Sequence, residues 1–417
     1  MDFAPTTQAV VIGAGPTGLT AALALSACGV EVAIAAPPYD RAASEADRRT
    51  TALLPGSIEL LKNLGVWAAC DRHAAPLEGV RLVDDRSGLL RAPEVLFKAQ
   101  EVGRTSFGVN IPNAALNAAL HAAVGRAEGV RWAATSAVVA VEPMQDGVAV
   151  RLAEGHRLKS ALAVAADGRA STVRAAAGIT IRVWNYGQTA VVTTVEHTRA
   201  HANITTELHR RAGPLTTVPL PGDASSLVWV EEPSLARRLS GLEPALFLAE
   251  LAGRLQGLLG SLRAASPIAA FPLSGLSAAR MAQNRVALVG ESAHVIPPIG
   301  AQGLNLGLRD AAVLAECVAQ ALASGENIGG GATLEAYHRA RAPDVWSRTL
   351  SVDALNRSLL DDFLPVQALR GLSLHVLANV PPVRRLLMQG GLEAPGRLPR
   401  LMQPGSAPLK VRRPQSP

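Results

Sequence analysis

The sequence predicts an α/β fold: a mostly parallel sheet assembled from both ends of the chain, an antiparallel-sheet domain interleaved with it, and a helical C-terminal region. Three stretches carry that prediction. Residues 8–12 form a short strand, apolar from Ala9 to Ile12, ending in Gly13-Ala14-Gly15-Pro16-Thr17-Gly18. Residues 162–166 form a second, ending in Asp167-Gly168-Arg169, and residues 286–289 a third, ending in Gly290-Glu291. Strands covered on both faces read as continuous apolar runs rather than alternating ones. Each run here delivers glycines or an acid to its carboxyl end, the edge at which open α/β sheets take their ligands.

The first stretch is a complete βαβ unit. Residues 19–28 are an Ala/Leu-rich helix, Gly29 closes it, and residues 31–35 return as the next strand. In this Rossmann-like setting the glycines have separate duties. Gly13 makes the tight turn, Gly15 lets backbone touch a pyrophosphate, and Gly18 lets helix and strand pack closely. The acid that ends the second strand of such units and holds the adenosine ribose is absent, because Ala36-Pro37 stands there. Either the ribose is held otherwise, or Asp40 in the loop beyond takes the role.

The third stretch continues into Pro297, Pro298, Gly300 and Gly303, which suit neither strand nor helix interior and form a stiff loop. From Leu304 the chain turns helical, with Leu308, Ala311, Ala312, Ala315, Val318, Ala319 and Leu322 on one face. Free N–H groups at this helix start suit an anion; the plainer alternative is a crossover loop that binds nothing. Asp167 has two compatible readings, ligand contact and N-cap of a short helix shared with Ser171.

Composition narrows the function. Lys plus Arg exceed Asp plus Glu by 40 − 34 = 6, spread along the chain, which suits an anionic cofactor or an anionic membrane face and is too diffuse for nucleic acid. Cys28, Cys70 and Cys317 lack ligand spacing and read as reduced thiols of a cytoplasmic protein; His197, His201 and His209 lack the partners of a metal site. No apolar stretch reaches the roughly 20 residues a bilayer needs, so any membrane contact is peripheral, at the inner face of the membrane.

Read in order, residues 1–180 are a cofactor-binding domain with a strand excursion at about 75–107 toward the substrate domain. A helix near 113–125 has Asn113 as its cap, and 138–141 with 148–152 form a hairpin. Residues 181–275 are the antiparallel substrate domain, closing in a long amphipathic helical stretch at 233–263. Residues 276–350 complete the first domain, 351–400 are a helical region with a segment at 369–388 interrupted by Pro381-Pro382, and 401–417 are a disordered tail.

With Gly13-x-Gly15-x-x-Gly18, Asp167-Gly168-Arg169 and Gly290-Glu291 in this order, the chain resembles the single-component FAD-dependent aromatic hydroxylases over nearly its whole length. Within them it is most similar to the ubiquinone-biosynthesis ring hydroxylases. That narrower likeness rests on residues 303–310, Tyr186-Gly187-Gln188, Gly213-Pro214-Leu215 with Pro219-Leu220, and Asp353-x-Leu355-Asn356. The resemblance implies that Gly13, Gly15 and Gly18 hold the FAD pyrophosphate. Asp167, with Gly168, would touch both phosphates and the pyridine nucleotide, and Glu291, with Gly290, would reach the ribitol. Arg49 matches an arginine near the cofactor. Pro298 and the run Gly300, Gln302, Gly303, Leu304 and Asn305 match the loop against the flavin ring, where the helix end steadies negative charge on the reduced flavin.

The implied reaction is hydroxylation of a phenol ring, with a polyprenyl tail in the ubiquinone case, through a flavin C4a-hydroperoxide formed with O2. NAD(P)H or a partner reductase would supply the electrons, and ubiquinone-biosynthesis complex partners are implied with it. Pro298 would present its carbonyl to the substrate, and His294 is a candidate for a proton path, a packed structural histidine being the other reading. Two departures stand out: the family usually has Asp where Glu291 stands, and the ribose acid is missing. The rival readings are a hydroxylase of a soluble aromatic compound and a non-catalytic flavin-binding subunit.

Overall fold

The structure is a computed structural model that describes residues 7–85, 93–298, 300–360, 380–392 and 397–406. Strand β1 (Thr7–Ile12), helix α1 (Pro16–Ala27) and strand β2 (Val32–Ala36) open the chain, the strands parallel from Ala9 opposite Val32 to Ile12 opposite Ala35. Helix α2 (Asn113–Arg126) leads to β3 (Val130–Ala134), parallel to β2, while β4 (Arg157–Ala165) runs parallel to β1 on its other side. Val10, Val11, Ala33, Ile34, Ala163 and Val164 are wholly buried, as helix cover on both faces demands. Helix α1 is buried from Gly18 to Leu25 without a polar stripe, so it lies inside the domain rather than on its surface. Asn113 does not cap α2: the cap position is Pro112, and the Asn113 side chain reaches Asp47 instead.

The chain then builds a second sheet around β5 (Ile181–His197), whose 17 residues pair antiparallel with three other strands. Strands β6 (Ile204–Arg210), β7 (Gly213–Leu220), β8 (Ala224–Glu231) and β9 (Ala269–Ala278) complete it in the order β9-β5-β8-β7-β6. Gly79–Asp84 and Val95–Lys98, far earlier in sequence, extend the β6 edge, the former parallel to β6. Two helices cover this sheet, Phe247, Leu251 and Leu255 packing on Val191, Leu215 and Trp229. The single helical stretch expected at 233–263 is corrected. Helices Pro233–Ser240 and Pro244–Leu255 are separate, and Leu262–Ala265 is a strand on β5, because Gln256 and Gly257 adopt left-handed backbone that ends the second helix.

The chain returns through β10 (Val286–Leu288), parallel to β4, and then through β11 (His294–Val295), which pairs with β9 in the second sheet. The second sheet therefore does not stop at residue 275, since β9 runs to Ala278 and β11 joins it. Helix α3 (Gln302–Ala323) crosses α1 closely. A Cβ at Gly307 would sit 2.6 Å from Thr17 Oγ1, a contact only glycine permits. Helix α4 (Gly331–Leu360) spans the boundary expected at 350 without a break. Helix α5 (Pro381–Leu392) begins at the proline pair, which suits a first turn. Residues 369–379 of the segment expected at 369–388 lie outside the described residues. Leu401 and Met402 are buried in the main core, correcting the expected tail at its start; 407–417 lie outside the described residues. Among the described residues no helix is long and apolar enough to cross a membrane.

A buried charge cluster joins α3 to α4. Asp310 is completely buried and accepts from Arg341 Nε at 2.7 Å, from the backbone N–H of Gly290 at 3.0 Å, and lies 2.7 Å from His294 Nε2. Asp344 accepts from Arg341 Nη1 and Arg309 Nη1 at 2.7 Å each and from Arg348 Nε at 2.9 Å. Burial alone would raise both carboxyls. The facing His294 and Arg341 for Asp310, and Arg341 and Arg309 for Asp344, hold them below the usual carboxylate range. Tyr337 adds a buried hydroxyl donating to Leu288 O at 2.7 Å, seating α4 on β10.

Replacing Arg341 with Met takes from two interior carboxylates the guanidinium they share and should cost about 3–5 kcal/mol of stability, read from urea unfolding. A carboxyl whose folded pKa is depressed stabilises the fold above its unfolded value, about 4, and loses that contribution as pH falls through the folded value. The unfolding free energy should therefore drop from about pH 4 downward, with a shallower slope in Arg341→Met.

Candidate functional site

The order β10-β4-β1 in the first sheet places three strand ends side by side. At the end of β1 the glycines divide their work as the local geometry requires. Gly13 has φ +107°, and a Cβ there would fall 2.3 Å from Ala166 O; a Cβ on Gly18 would fall 2.2 Å from Gly13 O. Both are places where backbone meets backbone. Gly15 is different: a Cβ there would meet nothing within 4 Å, and as N-cap of α1 it offers no side chain to the helix's first N–H groups. Open space beside uncapped donors at a helix start is a cradle for an anion.

At the end of β4, Asp167 does two things at once. Its Oδ2 accepts from Thr172 N at 2.9 Å and Val173 N at 3.3 Å, capping helix Thr172–Ala176 together with Ser171. Its Oδ1 is buried and has no hydrogen-bond partner among the described residues. A buried carboxylate oxygen left unpaired is costly unless a ligand donor meets it. Gly168 follows at φ +81° with open space around it. Arg174, which sequence reasoning did not single out, holds the two neighbouring loops together, donating to Ser292 O at 2.8 Å and Arg169 O at 3.0 Å. The only sequence signal for it was its place seven residues after the Asp167 acid.

At the end of β10, Gly290 turns at φ +61° and gives its N–H to Asp310. Glu291 is exposed, its carboxylate 3.5 Å from Arg169 Nε. Arg49 belongs to the same charge group. It forks onto Asp47 at 2.8 and 2.9 Å, which with burial opposing raises its pKa, and Glu291 adds a smaller push in the same direction. Its guanidinium lies 5.3 Å from the centre of the Phe271 ring on β9 of the second sheet.

The start of α3 is held from outside. Ala301 is left-handed at φ +55° and no side chain caps the helix. Asn305, 2% exposed, donates to Ala52 O at 2.8 Å and Ala301 O at 2.6 Å and accepts from Leu54 N at 2.9 Å, tying α3 to strand Thr50–Leu53. Gln302 is buried, whereas Gly303 is exposed with no atom near its Cβ position, Leu304 is half-buried, and Pro298 and Gly300 are exposed. So the first turn of α3 faces open space. His294 does not: it is 2% exposed, with Nε2 2.7 Å from Asp310 Oδ2. Asp40 uses Oδ1 to cap Arg41–Ala46, accepting from Ala43 N at 3.0 Å, and Ala36 is buried.

A second group gathers between β5 and α4. Tyr186 donates its hydroxyl to Asp353 Oδ1 at 2.9 Å, burial and that carboxylate pushing the phenol up to about 12. Gln188 accepts from Asn356 Nδ2 at 3.0 Å and donates to Ala212 O at 2.7 Å, beside Gly213, where a Cβ would clash with Val230. These residues span much of the chain yet form one contact. A cavity of about 690 Å³ lined by Ser26, Glu31, Gly129 and Arg131 opens at the amino ends of β2 and β3, the opposite edge of the sheet from the glycine turn.

The arrangement suits FAD: an anion cradle at α1, a buried acceptor at Asp167 awaiting a hydroxyl, and an uncapped helix start for an electron-rich ring. Comparison with known proteins agrees. The family model described as the FAD binding domain matches residues 6–350. The ubiquinone hydroxylase UbiL of Rhodospirillum rubrum is 36% identical, covering 94% of this chain and 92% of that one. The 3-demethoxyubiquinol 3-hydroxylase of Escherichia coli is 29% identical, covering 93% and 98%. The fold is shared with Klebsiella pneumoniae HpxO complexed with FAD and uric acid, at a TM-score of 0.73, 22% identity and coverage of 93% and 96%. It is shared as well with the p-nitrophenol 4-monooxygenase PnpA of Pseudomonas putida, at a TM-score of 0.74, 19% identity and coverage of 94% and 99%. With the cradle, the free acceptor and the family match in agreement, the chain belongs to the FAD-binding family of aromatic-ring hydroxylases and is an FAD-dependent monooxygenase.

Proposed function

We propose that this enzyme hydroxylates the ring of a polyprenylated phenol on the way to ubiquinone, using O2 and electrons from NAD(P)H or a reductase partner. The observation that carries the cofactor side is the unpaired, buried Oδ1 of Asp167 beside the open Gly15 cradle. The substrate side is supported by the near full-length likeness to the Rhodospirillum rubrum ubiquinone hydroxylase.

In this reading Gly13, Gly15 and Gly18 with the first turn of α1 hold the pyrophosphate, and Asp167 Oδ1 takes a cofactor hydroxyl. Glu291, flanked by Arg169 and Arg49, takes the ribitol side, its extra methylene over Asp accommodated by the exposed position it occupies. Bound FAD supplies the two-electron activation of O2 and the transfer of one oxygen atom to the ring. The uncapped start of α3, from Gln302 to Asn305, presents its N–H groups where the reduced ring carries negative charge, and the exposed Pro298 carbonyl borders the substrate side. Phe271, stacked under Arg49, and Tyr186 and Gln188 on β5 would wall the site from the second sheet. Peripheral membrane contact would fall on α5, where Val383 and Leu386 are exposed. Arg384 is not free for lipid, being paired with Glu101 and stacked over Phe97.

Gly15→Val fills the cradle and should yield folded, colourless protein, whereas Asp167→Ala should weaken FAD by about 10- to 100-fold, equivalent to roughly 1.5–3 kcal/mol, in a fluorescence titration. If both variants bound FAD like the parent, the cofactor placement would be wrong. A strain lacking the gene should accumulate a prenylated phenol one hydroxyl short by mass spectrometry; normal ubiquinone with an altered soluble aromatic would move the substrate to that class.

A further inference from the structure

Helix α4 lies outside every cofactor motif, yet one of its side chains reaches the turn that opens α3. Arg348 donates from Nη1 to Gln302 Oε1 at 2.7 Å. Because arginine only donates, the Gln302 amide must turn its oxygen toward Arg348 and its nitrogen away, and Nε2 accordingly donates to Gly300 O at 3.1 Å. Gly300 and Ala301 are both left-handed, at φ +64° and +55°, and Ala301 has a Cβ that resists this conformation. Such a turn persists only where its surroundings hold it. Asn305 holds Ala301 from the strand side, and Gln302 holds Gly300 from the α4 side.

The guanidinium that orients Gln302 is itself fixed. Arg348 Nε is spent on Asp344 Oδ1, and Asp344 is gripped by Arg341 and Arg309 in the buried cluster. The donor offered to Gln302 is therefore tied to the buried charge cluster that joins α3 to α4. We propose that Arg348 is a positioning residue for the flavin ring: acting through Gln302, it fixes the Gly300-Ala301 turn and so aims the first N–H groups of α3. This rests on the reading above that the start of α3 faces the ring. Since those N–H groups favour the anionic reduced ring over the oxidised one, their aim should register in the reduction potential more than in cofactor affinity.

The test uses purified protein carrying FAD. Arg348→Met should keep FAD affinity within about threefold of the parent. It should also lower the preference for reduced over oxidised FAD by about tenfold, a shift of about 30 mV to more negative potential for a two-electron couple, with a changed visible spectrum. Arg348→Lys, which restores a donor toward Gln302, should recover part of the shift. If Arg348→Met fails to fold, Gln302→Leu removes the same link with the charge cluster intact and should give the same shift. A parent-like potential and spectrum in the folded variants overturns the proposal. Asn305→Ala separates the two levels: if it shifts the potential while the Arg348 and Gln302 variants do not, only the positioning role falls. If none of the three shifts it, the placement of the ring against α3 falls as well.

Discussion

The molecule hangs on one carboxylate that water never reaches. Asp310 gathers the N–H of Gly290 from the end of β10, the imidazole of His294 from the strand that crosses into the second sheet, and the guanidinium of Arg341 from α4. Those three groups belong to the cofactor edge, the sheet junction and the C-terminal helix. A charge buried this deeply is tolerated only when paired, so its partners cannot relax independently. The geometry at the end of β10 is thereby set by a helix that begins only at Gly331.

The same constraint explains why the two sheets behave as one scaffold. Strand β11 is only two residues long, yet it follows the Gly290 turn directly and pairs with β9. Arg49 over Phe271 and Tyr186 with Asp353 add contacts from either side. A ring held between the carboxyl edge of the first sheet and the face of the second would be shielded from water on both sides, which an oxygen-activating site requires.

Small residues set the distances. Gly13 against Ala166, Gly18 against Gly13 and Gly307 against Thr17 are contacts in which any side chain would collide with backbone or a fixed hydroxyl. They pack α1 against α3 at close range, while a Cβ at Gly15 or at Gly303 would meet nothing within 4 Å.

The sequence by itself determined the parallel core, the glycine turn and the acids at the strand ends, because unbroken apolar runs and glycine spacing are local signals that no distant residue can override. It did not determine that 262–265 is strand rather than helix, which follows from an open edge on β5, nor that Leu401 and Met402 return to the core. It offered His294 two roles, and only tertiary structure showed the ring buried against Asp310. It left Arg174, Arg341 and Arg348 unmarked, since an arginine reads as solvated until the carboxylates and carbonyls that surround it, arriving from far along the chain, are seen in place.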